Sequence, residues 1–265
     1  MKLMIPCLVC TQEAFESKDM NKMIKLRQIN VEINDKGWYK VVCDEGHQFI
    51  AILQQMKFEI LFDFGLMALD DGNYREAVLN FASSFERFLE FCIKVFIYYN
   101  KIVPACFDRT WEYIKNHSER QLGAFYFMFL NNLKIQPKKV SENWVSFRNK
   151  VIHQGYFPNK NETMEYGEYI MTYISDTIKK VRYRCEESER LVIAYDLMQK
   201  IESAGVNELP ITTICPRSLI SLLSKDEISD LNCALKIMKT NRLLQYTNAK
   251  EFFTYFKDID KGLAT

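Results

Sequence analysis

Residues 77–95 carry the clearest structural pattern in the chain and read AVLNFASSFERFLEFCIKV. Their apolar members recur at steps of three or four residues, and these are Ala77, Phe81, Phe85, Phe88, Cys92 and Val95. Such spacing follows the 3.6-residue period of an α-helix, so the side chains share one face. We expect an amphipathic helix here whose apolar stripe is buried against other helices.

Similar helical patterns flank this segment on both sides. Further helices are predicted over residues 49 to about 69, 118–130, 141–154 and 163–203. Ser141 is a suitable N-cap for the third of these, and Gly155 stands where a helix-ending glycine belongs. Short helices are expected near the C-terminus, from a capping box at Ser224–Glu227 and an aromatic segment at 247–257. The protein is therefore predicted to be mainly α, with an antiparallel helical bundle as its core.

The N-terminal region has a different period. Residues 28–33 alternate between apolar and polar side chains, Asn34–Gly37 has turn chemistry, and residues 38–42 are again rich in β-formers. Two such runs around a turn predict a small β-hairpin that precedes the bundle. Three regions follow from these patterns: 1–50, with the hairpin; 51–185, with the bundle; and 186–265, a helical region of unknown role.

Four potential metal ligands frame the predicted hairpin. Cys7 and Cys10 form a Cys-x2-Cys pair before it, and Cys43 and His47 follow it. Three thiolates and one imidazole are a standard ligand set for tetrahedral Zn²⁺, and the arrangement is typical of a zinc ribbon. Four protein ligands fill the coordination sphere, so we expect this zinc to be structural. The alternative is a buried cluster of thiols without metal, beside a surface histidine.

The overall composition restricts the class of protein. Hydrophobic residues make up 48% of the chain and charged residues 26%, which is typical of globular and not of disordered proteins. The net charge of +1 excludes a polybasic protein that coats nucleic acid, although it allows a local basic cleft. No apolar window approaches the roughly 18 residues that a membrane-spanning helix needs, and the apolar N-terminus is too short for a secretory signal. We therefore expect a cytoplasmic protein without membrane contact, whose cysteines are thiols or metal ligands.

A second constellation lies in residues 144–155, which read WVSFRNKVIHQG. Asn149 follows Arg148 directly, and His153 lies five residues beyond the arginine, near the predicted end of a helix. Asn149 and His153 share a helix face, whereas Arg148 and His153 are about 140° apart. Two copies related by a two-fold axis would bring two arginines and two histidines into one cleft. Taken singly, His153 is better explained as a surface residue that interacts with the helix dipole, whereas Asn149, Gly155 and the bundle together favour a catalytic role.

This segment resembles the Arg-x4–6-His motif of the HEPN superfamily, in which a polar residue such as Asn149 commonly follows the arginine. The resemblance covers roughly residues 50–185 and implies a bundle of four to five helices with the motif at the end of a late helix. It implies that Glu86, on an earlier helix, contacts the motif. Members with an intact motif are metal-independent endoribonucleases, often toxins or antiviral effectors, that dimerise through this face. The resemblance thus implies RNA as substrate, a homodimer, and four catalytic residues: Arg148, Asn149, His153 and Glu86.

These side chains suit RNA cleavage without a metal. The reaction removes a proton from the ribose 2′-OH, protonates the 5′-oxygen leaving group and stabilises charge on the phosphorane. An imidazole transfers protons near neutral pH, and a guanidinium matches phosphate oxygens. The expected products carry 2′,3′-cyclic phosphate and 5′-OH ends, and DNA is expected to resist because it lacks the 2′-OH. Residues 134–153 have a net charge of +4, which makes Lys138, Lys139 and Lys150 candidate RNA-binding residues.

Two other functions remain open from the sequence. One is a non-catalytic HEPN bundle that acts as an interaction or RNA-binding module, with the zinc ribbon docking a partner. The other is a zinc-ribbon transcription regulator, which would need a basic recognition helix that the C-terminal region does not clearly show. Region 186–265 is a candidate site for a regulatory protein partner, from its position alone.

Overall fold

The computed structural model describes residues 2–17, 28–205, 208–215, 220, 222 and 230–246. Within them it contains eight helices and five strands, so the protein is mainly α, as predicted. The chain forms two compact units. The first consists of Met1–Gln54, Leu197–Cys215 and Lys236–Thr265, and the second of Gln55–Asp196 and Pro216–Leu235.

The first unit contains all five strands. They are β1 (Lys2–Pro6), β2 (Gln28–Glu32), β3 (Trp38–Val42), β4 (Gln48–Leu53) and β5 (Ile211–Ile214), and helix α1 (Leu8–Glu16) follows β1. Strands β1 and β2 form an antiparallel pair. In the second sheet, β4 lies between β3, to which it is antiparallel, and β5, to which it is parallel.

The hairpin predicted between residues 28–33 and 38–42 is wrong, although both runs are strands. β2 pairs with β1, and β3 pairs with β4 across the turn at Cys43–His47. At the turn between β2 and β3, the side-chain oxygen of Asn34 accepts backbone N–H bonds of Lys36 and Gly37, at 2.9 and 3.0 Å. Gly37 has a φ of +69°. Alternation identifies a half-buried strand but not its partner, and here both strands have partners elsewhere in the chain.

The helix predicted from residue 49 is wrong in its first part. Residues 49–53 belong to β4 and are all buried, and the helix begins only at Lys57. A short apolar run fits a buried strand and a buried helix equally well. In this protein, tertiary contacts determine that residues 49–53 form a strand. Ile50 and Ile52 pack with Ala204, and the partly buried side chains around them are Trp38, Leu197, Ile201 and Leu209.

The remaining helices begin in the second unit. They are α2 (Lys57–Asp70), α3 (Tyr74–Tyr99), α4 (Pro104–Trp111), α5 (Ser118–Leu133), α6 (Glu142–His153), α7 (Lys160–Ala204) and α8 (Leu231–Tyr246). The helices predicted around 77–95, 118–130, 141–154 and 163–203 are confirmed, whereas α4 was not predicted. α7 departs from helical geometry at Cys185, where φ is −128° and ψ is 29°.

Phenylalanines form the contact between α2 and α3. The rings of Phe62 and Phe81 are 5.0 Å apart and those of Phe58 and Phe88 are 5.4 Å apart, and all four side chains are buried. The predicted stripe of α3 is therefore the core of the second unit, because it faces another helix with large apolar side chains.

Helix α6 begins and ends as its sequence predicts. Ser141 occupies the N-cap with extended backbone angles, and Gly155 follows the helix with a φ of +70°. The N–H groups of Gln154 and Tyr156 both donate to the carbonyl of Lys150, which closes the last turn. The end of α6 fixes the position of His153.

Two sequence predictions lie outside the described residues. They are the capping box at Ser224–Glu227 and the aromatic segment at 247–257. Of the helices that the structure describes, none has both the length and the apolarity to cross a membrane.

Candidate active site and candidate metal centre

Glu86, Arg148 and Asn149 come together between α3 and α6. Nη2 of Arg148 donates to Oε1 of Glu86 at 2.6 Å, and Nη1 donates to Oδ1 of Asn149 at 3.0 Å. The side chains of Arg148 and Glu86 are only 22% and 27% exposed. The ion pair is partly shielded from water, and it fixes the guanidinium in one orientation.

Aromatic packing against α7 holds the helix that carries Arg148. The Trp144 ring lies 5.7 Å from that of Tyr166, and the Phe147 ring lies 5.5 Å from the same tyrosine. Nε of Arg75 on α3 also donates to the carbonyl of Val151 on α6, at 3.4 Å. α6 is therefore anchored to both α3 and α7 within one turn of Arg148.

His153 is separate from the other three predicted catalytic residues. It is the last residue of α6, it is exposed, and its imidazole has no hydrogen-bond partner among the described residues. Five residues along a helix turn a side chain by about 140°, so His153 projects from a different side of α6 than Arg148. Asn149 lies one turn before His153, and its side chain contacts Arg148.

The three predicted RNA-binding lysines are exposed. Nζ of Lys139 pairs with Glu142 at 2.6 Å, and Nζ of Lys138 lies 4.0 Å from Asp176. Lys150 lies on α6, three residues before His153. Such exposed pairs are weak, and an incoming polyanion can displace them.

A pocket lies directly beside Arg148, and the sequence did not predict it. Its volume is about 90 Å³, and α3, α5, α6 and α7 contribute its lining. Its lining includes the side chains of Phe85, Ser118, Glu119, Trp144, Tyr166 and Tyr169, together with those of Glu86 and Arg148. We call this the aromatic pocket.

Three residues of the aromatic pocket have spacings in the sequence that predict shared helix faces, although not the pocket itself. Trp144 lies four residues before Arg148 and shares its helix face, and Tyr166 and Tyr169 are three residues apart on α7. Burial raises the pKa of the Tyr166 hydroxyl, and the positive charge of Arg148 opposes this rise. Tyr166 is therefore a neutral wall of the pocket.

Cys7, Cys10, Cys43 and His47 form a compact group in the first unit, with all ligand atoms within 4.8 Å of one another. Nδ1 of His47 lies 3.7, 3.3 and 3.5 Å from the sulfurs of Cys7, Cys10 and Cys43. The sulfurs of Cys10 and Cys43 are 3.8 Å apart. These four residues, here called the Cys/His cluster, are close enough to hold a metal ion.

Secondary structure brings the cluster together. Cys7 is the N-cap of α1 and Cys10 lies in its first turn, while Cys43 and His47 flank the turn between β3 and β4. Burial opposes ionisation of Cys43, but backbone N–H groups of His47 and Glu45 donate to its sulfur, and its pKa falls to about 7. Burial and the neighbouring thiols raise the pKa of Cys10 to about 12. A bound cation would relieve this repulsion between thiolates.

Within the described part of the chain, no other group of His, Cys, Asp and Glu side chains is arranged to hold a metal ion. Cys92 and Cys185 are buried and Cys106 is exposed, and all three are free thiols. Comparisons with protein-family models, with curated proteins and with solved structures find no match to this chain.

Proposed function

We propose that the protein is an endoribonuclease of HEPN type that cleaves RNA by attack of the ribose 2′-OH and needs no catalytic metal. One observation carries the proposal. Arg148 is held between Glu86 of a separate helix and Asn149, while His153 stands exposed on the next turn. A partly shielded arginine with a fixed orientation, on the same helix as an exposed histidine, is an arrangement that metal-independent cleavage of RNA can use.

Arg148 is the phosphate ligand in this proposal. Its guanidinium has five N–H donors, and the bonds to Glu86 and Asn149 use two of them. The remaining donors are available for the oxygens of the scissile phosphate. Glu86 is a positioning residue, because it acts on the substrate only through Arg148.

His153 supplies proton transfer. Acid and base are both required, since one group takes the 2′-OH proton and another protonates the 5′-oxygen. A second copy of the chain across a two-fold axis provides the second histidine, because the ends of the two α6 helices then face each other. Lys138, Lys139 and Lys150 hold the RNA backbone on either side.

Zinc is our proposal for the Cys/His cluster. Ideal tetrahedral geometry with Zn–S of about 2.3 Å and Zn–N of about 2.05 Å puts the sulfurs about 3.8 Å apart and sulfur and nitrogen about 3.6 Å apart. The observed separations are 3.8 Å for Cys10–Cys43 and 3.3 to 3.7 Å for the contacts of His47. Four ligands leave no open position, so this zinc would stabilise the first unit and take no part in catalysis.

A non-catalytic RNA-binding or interaction module is the second candidate. The observation that favours it is the separation of His153 from Arg148 within one chain, which leaves the site incomplete unless two chains associate. In that case the Cys/His cluster would support docking of a partner protein. A role as toxin or antiviral effector follows only from the resemblance to HEPN proteins.

The chemistry is tested with a single-stranded RNA oligonucleotide and a copy of it in which every ribose is 2′-O-methylated. Cleavage of the first, with 2′,3′-cyclic phosphate and 5′-OH ends by mass spectrometry, and an intact second oligonucleotide are expected. Arg148→Lys should lower the rate by about a hundredfold, because an ammonium cannot form the paired bonds to phosphate. Cleavage of the methylated copy, or products with 3′-OH ends, would rule out 2′-OH attack.

A further inference from the structure

We infer that the aromatic pocket binds a guanine base of the RNA, next to the phosphate held by Arg148. This inference rests on the proposed ribonuclease function and adds a base preference to it. Three features of the second unit support it: the size of the pocket, its aromatic wall and the exposed carboxylate at its rim.

The size of the pocket suits part of a planar ring. An enclosed cavity of about 150 Å³ takes a benzene ring. The aromatic pocket has a volume of about 90 Å³, and its rim is open because Val145 and Glu119 are exposed. A planar base can therefore enter partway and keep one polar edge at the rim.

The wall consists of rings that bases stack on. The rings of Trp144 and Tyr169 are 6.0 Å apart at an interplanar angle of 32°, and Tyr166 lies beside them. Aromatic side chains stabilise unpaired bases by stacking, whatever the base. The aromatic wall thus favours single-stranded RNA. Because stacking does not distinguish one base from another, selectivity requires a polar group that forms hydrogen bonds to the base.

Glu119 is that polar group. It lines the pocket, is exposed, and has no ion-pair partner among the described residues. Guanine has two adjacent N–H donors, at N1 and N2, that match the two oxygens of a carboxylate. Adenine and cytosine offer one amino group beside a ring acceptor, and uracil offers one N–H between two carbonyls. The hydroxyl of Ser118, also in the lining, can donate to guanine O6.

The same carboxylate excludes a different use of the pocket. Away from Arg148, a phosphate group would be repelled by Glu119 and would lose its hydration against the apolar wall, so the part of the pocket lined by Glu119 is unsuited to the RNA backbone. Glu86, the second carboxylate of the lining, already binds Arg148. A base at Glu119 therefore leaves the phosphate of the same strand for Arg148, which also lines the pocket.

Binding is measured with the His153→Ala protein, which separates recognition from cleavage. The probes are fluorescent single-stranded RNAs that contain one guanosine, inosine or 7-deazaguanosine. Inosine lacks the N2 amino group, so binding should weaken about tenfold, whereas 7-deazaguanosine keeps both donors and should bind like guanosine. In the His153→Ala protein, the additional substitution Glu119→Gln should abolish the preference for guanosine over inosine. Adding Glu165→Gln, an exposed residue of α7 outside the pocket, should retain it.

Equal affinity for guanosine and inosine would overturn the inference, as would a tenfold preference that survives Glu119→Gln. Mapping of the cuts made by the wild-type protein separates this inference from the proposed function. Cutting beside guanines supports both. Cutting without base preference overturns the guanine pocket and leaves the ribonuclease, whereas guanine-selective binding by a protein that never cuts supports the pocket and overturns the ribonuclease.

Discussion

At the scale of single residues, two ion pairs of equal length differ in how far they are shielded from water, and therefore in how much they stabilise the fold. Arg148–Glu86 and Lys139–Glu142 are both 2.6 Å long, but the first pair is 22% and 27% exposed and the second 77% and 79%. A partly shielded pair with hydrogen-bond geometry stabilises a fold, whereas a fully hydrated pair contributes little. Only the first pair can be expected to matter for stability.

Glu86→Gln tests this difference. The change keeps the shape but removes the charge beside Arg148, and it should lower the free energy of unfolding by about 1 to 2 kcal/mol. Lys139→Gln is the control and should leave the urea midpoint unchanged. If both variants unfold at the wild-type urea concentration, the Arg148 pair is not the structural support that we describe. In RNA cleavage, Glu86→Gln should lower the rate by about tenfold, and Lys139→Gln should only weaken RNA binding.

Only part of the candidate site can be predicted from the sequence at this scale. Arg148, Asn149 and His153 are neighbours on one helix, so their local relation follows from helix geometry. The contact with Glu86 joins positions 62 residues apart, and only a resemblance to known proteins suggested it. The aromatic pocket depends on where four helices meet, which no local pattern records.

At the scale of elements, two glycines fix the distance between helices. A Cβ on Gly65 of α2 would collide with the ring of Phe81, and one on Gly167 of α7 would lie 2.8 Å from the same ring. Phe81 is fully buried and cannot move away. Close packing of α2, α3 and α7 thus needs glycine at both positions.

Gly65→Ala should therefore destabilise the protein by about 1 to 3 kcal/mol, although alanine is the better helix former. Gly123→Ala in α5 is the matched control, because a Cβ added there would meet no atom within 4 Å. It should stabilise the protein by about 0.5 to 1 kcal/mol. Thermal unfolding of both variants checks the prediction, and a Gly65→Ala protein as stable as Gly123→Ala would refute the packing.

The Cys/His cluster makes a second prediction about elements. It joins the start of α1 to the turn between β3 and β4, so loss of metal should loosen the first unit. Purified protein should contain about one zinc ion per chain, and Cys10→Ser should lose it. Cys106→Ser, at an exposed free cysteine of α4, should keep it. Elemental analysis of the wild type and of both variants measures their zinc content. A wild-type protein purified without zinc would contradict the assignment.

Sequence patterns predicted the helices better than the sheets, for a physical reason. A helix satisfies its own hydrogen bonds, so its periodicity is visible within one segment, as it is for residues 77–95. A strand needs a partner, and β4 pairs with β5, which lies some 160 residues further along the chain. Considered alone, the apolar run 49–53 fits the start of a helix, and only its pairing with β3 and β5 identifies it as a strand.

At the scale of the whole molecule, the proposed active site requires two chains. Arg148→Ala and His153→Ala should each be inactive alone, because each removes one of the two chemical functions. Mixed dimers of His153→Ala with the wild type keep only one of the two histidines, so a large excess of His153→Ala should suppress the activity of the wild-type protein. Sedimentation should show the wild-type protein as a dimer. A monomeric wild type, or wild-type activity that an excess of His153→Ala leaves unchanged, would contradict the composite cleft.

The most direct measurement of the central claim is digestion of total cellular RNA in magnesium-free buffer, with EDTA added at mixing. Wild-type protein is compared with His153→Ala and with His117→Ala, in which an exposed histidine that is not among the predicted catalytic residues is removed. We expect the wild type and His117→Ala to cleave RNA equally, and His153→Ala to lose at least about a hundredfold in rate. Equal cleavage by all three proteins would contradict the claim that His153 carries the reaction.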